Sequence, residues 1–240
     1  MKKTVYIKQT ISTNALCWEM NRENELPEGF LMYTDFQTAG KGQPGNSWES
    51  ETGKNLLFSM VLHPHHVPMD ELFLLSQLVS VAIKRALDDY TTDITVKWPN
   101  DIYYKDKKLA GILIENSLQG SKIKTVVVGV GLNVNQKLFV SGAPNPVSLF
   151  QITGKRQNRK QLLHQIRLNV MGLYAEFEKD KIRSDYEESL YRKDDYHNYR
   201  DEEDLFRAKI LKVHSDGQLE LEKENGERKG FYFKEVQFVL

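Results

Sequence analysis

Thr34 to Trp48 reads TDFQTAGKGQPGNSW, a polar, glycine-rich stretch between two apolar runs, Phe30–Tyr33 (FLMY) and Asn55–Leu62 (NLLFSMVL). Both runs have the length and content of strands. Gly40, Gly42 and Gly45 let the backbone turn and offer N–H groups to an anion, Lys41 adds a positive charge, and Trp48 closes the stretch. Three readings compete. The glycines match GxGxxG, but that fingerprint must open a helix, and SWESETGKNLLFSMV leads through Gly53 into a strand. A Walker phosphate loop needs Lys where Asn46 stands, and it also needs a helix to follow. The third reading is a surface loop whose glycines only make turns, and the rest of the chain has to decide.

Composition narrows the classes. The 240 residues allow one large domain and a small one. Lys+Arg and Asp+Glu both number 33, so no global basic field draws the chain to nucleic acid. The opening MKKTVYIKQT lacks an apolar signal core, and no run reaches membrane-spanning length. A single cysteine, Cys17, excludes an intrachain disulfide and fits a reducing cytoplasm; it reads as a small buried hydrophobe on a helix.

Outward from the loop, Val5–Lys8 reads as a strand and Asn14 to about Asn21 as a helix capped by Ser12 or Thr13. Pro68–Tyr90 reads as one long amphipathic helix, with Asp70 and Glu71 near its start and an apolar stripe from Leu72 to Tyr90. Ile94–Ser117 reads as three strands joined by two turns, and Lys124–Asn135 as a valine-rich strand interrupted by Gly129 and Gly131. Lys97, Asn100, Asp101, Lys108 and Asn133 then lie at strand ends or turns beside apolar walls. Singly each reads as a solvated turn residue; as a set beside an anion-type loop they point to one pocket. Helices are expected over Arg159–Lys179 and Ser184–Lys193. From about Asp194 short alternating strands follow, separated by turns at Ser215-Asp216-Gly217 and Asn225-Gly226.

TDFQTAGKGQPGNSW, KWPND, KLAGILIE and VVVGVGLNVN, with STN near the start, resemble biotin protein ligases (biotin–[acetyl-CoA-carboxylase] ligases) in order and spacing, from Ser12 to Asn135. The resemblance implies a mixed α+β catalytic domain of residues 1–193, its mixed or antiparallel sheet packed with helices, and a small SH3-like barrel of residues 194–240. It implies that biotin is activated with ATP and Mg²⁺ to biotinyl-5′-AMP. The biotinyl group then passes to a lysine of a biotin carboxyl carrier protein. Ser12, Thr13, Asn14 and Gln37 match ligands of the ureido ring, and Gly40, Lys41, Gly42 and Gln43 the loop over biotin and phosphates. Lys108, with Gly111 beside it, matches the lysine at the biotin carboxyl and phosphoryl region. Asn100 and Asp101 match residues near metal and phosphates, Asp101 also as proton acceptor; Asn133 matches an adenine-side contact, and Trp48 ends the loop motif. Lys41 and Lys108 are the cations expected to cancel the repulsion between two anions.

Gln43 stands where many relatives carry Arg. Only eleven residues precede Ser12, so no DNA-binding domain is expected ahead of it and the chain reads as a ligase only. No nucleic acid or membrane partner is expected; a homodimer is possible, with the edge of strand 122–134 as one surface. Two alternatives stay open: a lipoate or octanoyl ligase or transferase of related fold, and a non-catalytic module that senses biotin or nucleotide.

Overall fold

The structure, a computed structural model, describes residues 3–42, 45, 47–140 and 145–239. Seven strands form one mixed sheet. They are β1 (Thr4–Thr10), β2 (Phe30–Gln37), β3 (Leu56–Leu62), β4 (Ile94–Lys97), β5 (Asp101–Tyr104), β6 (Lys107–Gln119) and β7 (Lys122–Leu132), in the order β1-β2-β3-β7-β6-β5-β4. Only β1 and β2 run parallel, joined across helix α1 (Thr13–Glu23); the other neighbours are antiparallel.

Alternation along the strands gives the sheet two unlike faces. Phe58, Met60, Val126, Val128, Val130, Ile112 and Ala110 face α2 (Phe73–Asp88) and α4 (Arg159–Glu176) in the main core. Burying each large aliphatic side chain there contributes about 1.5–3 kcal/mol. Phe30, Met32, Val61 and Val127 face the other way and pack under α1 with Cys17 and Leu26. Helix α1 covers only part of that second face. The uncovered part, where the strands carry Gly129, Gly131 and Gly111, is open to the cleft described below.

Several expected boundaries move. The segment 68–90 is a 3-10 turn at Met69–Glu71 followed by α2, and the Glu71 carboxylate in that turn binds Lys179 and Arg183. The helix expected to reach Lys179 stops at Glu176, because Phe177 takes a left-handed φ of 45° as its C-cap. The next helix is α5, Lys179–Glu188 rather than 184–193; Ile182, Tyr186 and Leu190 keep the apolar spacing, but Leu190 already lies past its end, bridged to Val96. A short helix α3 (Leu149–Thr153) has a full capping box at Ser148 and Gln151. Strand β7 is not a free edge: Val126–Leu132 pairs with β3 on one side and with β6 on the other. Pairing of two copies through that strand, one of the open possibilities, is therefore blocked along most of its length.

The C-terminal part forms a separate five-stranded antiparallel sheet, as the expected small barrel would. Its strands are β8 (His197–Arg200), β9 (Leu205–Val213), β10 (Leu219–Lys223), β11 (Arg228–Phe231) and β12 (Gln237–Phe238), in the order β11-β10-β9-β8-β12. Gly226, at φ 85°, makes the expected hairpin turn between β10 and β11. Trp98 Nε1 donates to the Gly217 carbonyl at 2.9 Å, in buried surroundings, and so ties this sheet to the turn after β4. Among the described residues no helix is long and apolar enough to cross a membrane.

Candidate active site

The cleft, about 580 Å³, lies over the open part of the second sheet face. Its floor is set by register. Asp101, Gly111, Gly131 and Leu57 are paired in one row across β5, β6, β7 and β3; Leu113, Gly129 and Ser59 form the next row. Glycine is required in both rows. A Cβ on Gly131 would lie 2.4 Å from Cε2 of Trp48, and one on Gly129 would lie 2.3 Å from Asn14 Oδ1. The strand glycines thus give room to one indole and one amide.

The two ends of the glycine-rich loop are held together. Lys41 bridges Ser47, and Trp48 N donates to Gly40 O at 3.0 Å. Beyond it, Asn55 Nδ2 and Glu51 N both donate to Gln136 Oε1, at 2.6 and 2.9 Å, and Gln136 Nε2 donates to Glu49 at 3.2 Å. This clamp fixes the exit of the loop against the segment after β7, and so fixes the Trp48 ring over Gly131 and Gly111.

One end of the cleft is neutral and hydrogen-bonding. Ser12 is the N-cap of α1 by its extended backbone, yet its side chain makes no capping bond. Thr13 donates to Gln37 Oε1 from its backbone N at 2.7 Å and from Oγ1 at 3.0 Å. Ser59 Oγ, fully buried on β3, donates to Asn14 Oδ1 at 2.5 Å and lies 2.7 Å from Thr13 Oγ1.

The other end is cationic. Lys108 Nζ donates to Asp101 Oδ2 at 2.7 Å, with both side chains partly exposed to the cleft. Lys97 Nζ donates to Tyr103 Oη at 3.2 Å and lies over the rings of Tyr103 and Phe238. Burial pulls the Lys97 ammonium below the usual lysine range; Lys108 and Arg192 act the same way and Asp101 opposes them. Burial likewise pushes the Tyr103 hydroxyl up, leaving it a neutral donor. Asn100 Nδ2 donates to Ile112 O at 2.7 Å, so its role at hand is to hold the turn before β5. Asn133 is held by backbone bonds to Leu109 and Leu149, while its Oδ1 and the Trp48 Nε1 are buried with no partner. Two such orphaned groups beside a cleft are what a bound molecule would satisfy.

Of the residues expected from sequence, Ser12, Thr13, Asn14, Gln37, Lys41, Gly42, Trp48, Asn100, Asp101, Lys108, Gly111 and Asn133 all line this one cleft. Gly40 does not line it and acts one step back, accepting from Trp48. Gln43 lies outside the described residues. Sequence reasoning missed Ser59, hidden in an apolar strand, and Tyr103. It also missed Phe139, Pro146 and Phe233, which only tertiary folding brings to the wall. No group of three or more potential metal-ligating side chains (His, Cys, Asp, Glu) occurs among the described residues.

Residues 6–133 match the model of the biotin/lipoate A/B protein ligase family. The bifunctional ligase/repressor BirA of Bacillus subtilis is 33% identical over 162 residues, 64% of this chain and 48% of that protein. A biotin–[acetyl-CoA-carboxylase] ligase of Mycobacterium tuberculosis is 33% identical over 137 residues, 54% of this chain and 48% of that protein. The chain therefore spans about half the length of these curated relatives. Among solved structures, the biotin protein ligase of Aquifex aeolicus in complex with biotin and ATP superposes with a TM-score of 0.81 at 25% identity, covering 100% of both chains.

Proposed function

This chain belongs to the biotin/lipoate A/B protein ligase family, and on that premise we propose that it is an ATP-dependent biotin–protein ligase. It joins biotin to ATP as biotinyl-5′-AMP, releasing pyrophosphate, and then acylates one lysine of a biotin carboxyl carrier protein, releasing AMP. The observation that carries this reading is the two-ended cleft: neutral donors and acceptors at the α1 end, cations at the β5–β6 end, and the Trp48 face between them. Biotin has the same layout, a polar ureido ring, an apolar chain and a carboxylate. A dithiolane or plain alkyl chain would leave Gln37 Nε2 and the second lone pair of Asn14 Oδ1 facing it unpaired, which costs about 1–3 kcal/mol per group.

In the first step the biotin carboxylate oxygen attacks the α-phosphorus of ATP, and the bond to the bridging oxygen of pyrophosphate breaks. Both reactants are anions, so the barrier is dominated by their repulsion. Lys108 and Lys97, with Lys41 from the loop, lower it in a partly water-excluded site. Asn133 Oδ1 takes an adenine N–H. Asp101 keeps Oδ2 on Lys108 and has Oδ1 near Gly111, free for one contact. Asp101 Oδ1 is the oxygen that would hold Mg²⁺, and the ion would supply further charge neutralisation at the phosphates. In the second step the carrier amine attacks the carbonyl carbon, AMP leaves, and Asp101 Oδ1 guides the ammonium proton away. No enzyme nucleophile is needed, since the intermediate is already a mixed anhydride.

Residues 1–193 carry this chemistry, and residues 194–240 form a small SH3-like barrel that contributes Phe233 to the cleft wall. The test is biotin-dependent exchange of labelled pyrophosphate into ATP. Exchange that requires biotin is expected; a folded protein that shows none with biotin, ATP and Mg²⁺ present would overturn the reading.

A further inference from the structure

Glu115 follows Gly111 and Leu113 on the cleft face of β6, at the two-residue spacing that keeps side chains on one side. Its Oε2 accepts from Asn14 Nδ2 at 2.7 Å, and the second amide proton of Asn14 points to Leu113 O at 3.4 Å. An ionised carboxylate can only accept, so Glu115 dictates which end of the Asn14 amide faces it. The other end, Oδ1, meets the Ser59 hydroxyl at 2.5 Å and keeps a second lone pair. In Gln37 the polarity is reversed. Its Oε1 is taken by Thr13, which leaves Nε2, beside Gly40, as the donor.

We propose that Glu115 and Ser59 are positioning residues that lock the Asn14 oxygen toward the cleft, so that this end selects a cyclic urea. A ring N–H then donates to Asn14 Oδ1 and the urea C=O accepts from Gln37 Nε2. The inference rests on the ligase reading above and adds to it the device that sets which polar pattern the site accepts. A polar carboxylate on the strand thereby acts at a distance from the ligand, through one amide.

The test measures biotin and ATP affinities separately by calorimetry on folded, full-length variants. Glu115→Ala frees the Asn14 amide to turn over, and Asn14→Asp sets two carboxylates against each other; each is expected to weaken biotin about tenfold or more and leave ATP unchanged. Glu115→Gln, which keeps an acceptor but not its charge, is expected to weaken biotin about threefold. The double variant Asn14→Asp/Glu115→Gln restores the pair with donor and acceptor exchanged, and it still presents oxygen to the cleft. It is expected to recover to within about threefold of wild type. A merely structural role would lower both affinities and would not be rescued by the double exchange. Wild-type biotin affinity in Glu115→Ala, or a double variant no better than Asn14→Asp, would overturn the proposal. A wild-type protein that binds ATP but not biotin would instead remove the ligase reading beneath it.

Discussion

Lys108 Nζ sits 2.7 Å from Asp101 Oδ2, on adjacent antiparallel strands; Asp101 lies in the row of the sheet that also holds Gly111 and Gly131, and Lys108 lies opposite Tyr103. The side chains are 30% and 25% exposed, so the pair is solvated enough to contribute only about 0–1 kcal/mol to stability. Its position is the cationic end of the cleft, where the proposed reaction would bring two anions together. Lys108→Ala is expected to lower biotin-dependent pyrophosphate exchange by about 100-fold or more. The melting temperature should fall by no more than about 2–4 °C. An active Lys108→Ala enzyme would remove Lys108 from the chemistry.

Gly131 and Gly172 should respond to the same substitution in opposite ways. A Cβ at Gly131 would collide with the Trp48 indole at 2.4 Å, so Gly131→Ala is expected to cost about 1–3 kcal/mol and to raise KM for biotin. Gly172 lies on an exposed turn of α4 with nothing near its Cβ position, and Gly172→Ala is expected to stabilise by about 0.5–1 kcal/mol. Denaturant melts of both variants check this; equal effects would contradict the packing of Trp48 on β7.

Lys97 gives a pH dependence whose sign is fixed by its burial. Its folded pKa lies below the ordinary 10.5, so the charged form burdens the fold at neutral pH, and the burden lifts as pH rises through the folded value. Lys97→Met is therefore expected to raise the melting temperature at pH 7, with the gain shrinking toward pH 10, while KM for ATP rises. A variant less stable than wild type at pH 7 would mean that the contacts of Lys97 with Tyr103 and Phe238 outweigh its desolvation.

Cys17 is fully buried in the small core under α1, and burial pushes its thiol up to about 12. A thiol reagent at pH 8 is expected to leave the native protein unmodified and to label one site after unfolding. Rapid native labelling, measured by mass, would show that α1 opens away from β2.

Much of this site is legible in the sequence because its residues come as local motifs: the 34–48 loop, KWPND, KLAG and the glycine-interrupted strand each carry their own signal. What sequence does not disclose is register. Ser59 stands in a run of apolar residues and reads as core until it is seen opposite Gly129, under Asn14. Glu115 enters the sequence reading only as the last residue of KLAGILIE, and its contact with Asn14 is seen once α1 is laid across its face. Phe233 lies over a hundred positions beyond Lys97, and the docking of the second sheet through Trp98 and Gly217 is what brings it to the cleft. The shifted helix boundaries near 177 and 188 have a related cause. The apolar spacing of Ile182, Tyr186 and Leu190 continues through a turn that buries Leu190 without helix, so periodicity alone places the end too late.

The central claim is that this cleft makes a biotinyl adenylate and hands it to a carrier lysine. Incubation of the protein with ATP, Mg²⁺, biotin and a biotin carboxyl carrier domain, followed by mass measurement of the carrier, tests it most directly. The expected result is a carrier heavier by one biotinyl group, with no gain when ATP is left out or when the carrier's acceptor lysine is replaced. A carrier of unchanged mass beside a folded enzyme that binds biotin and ATP would contradict the account.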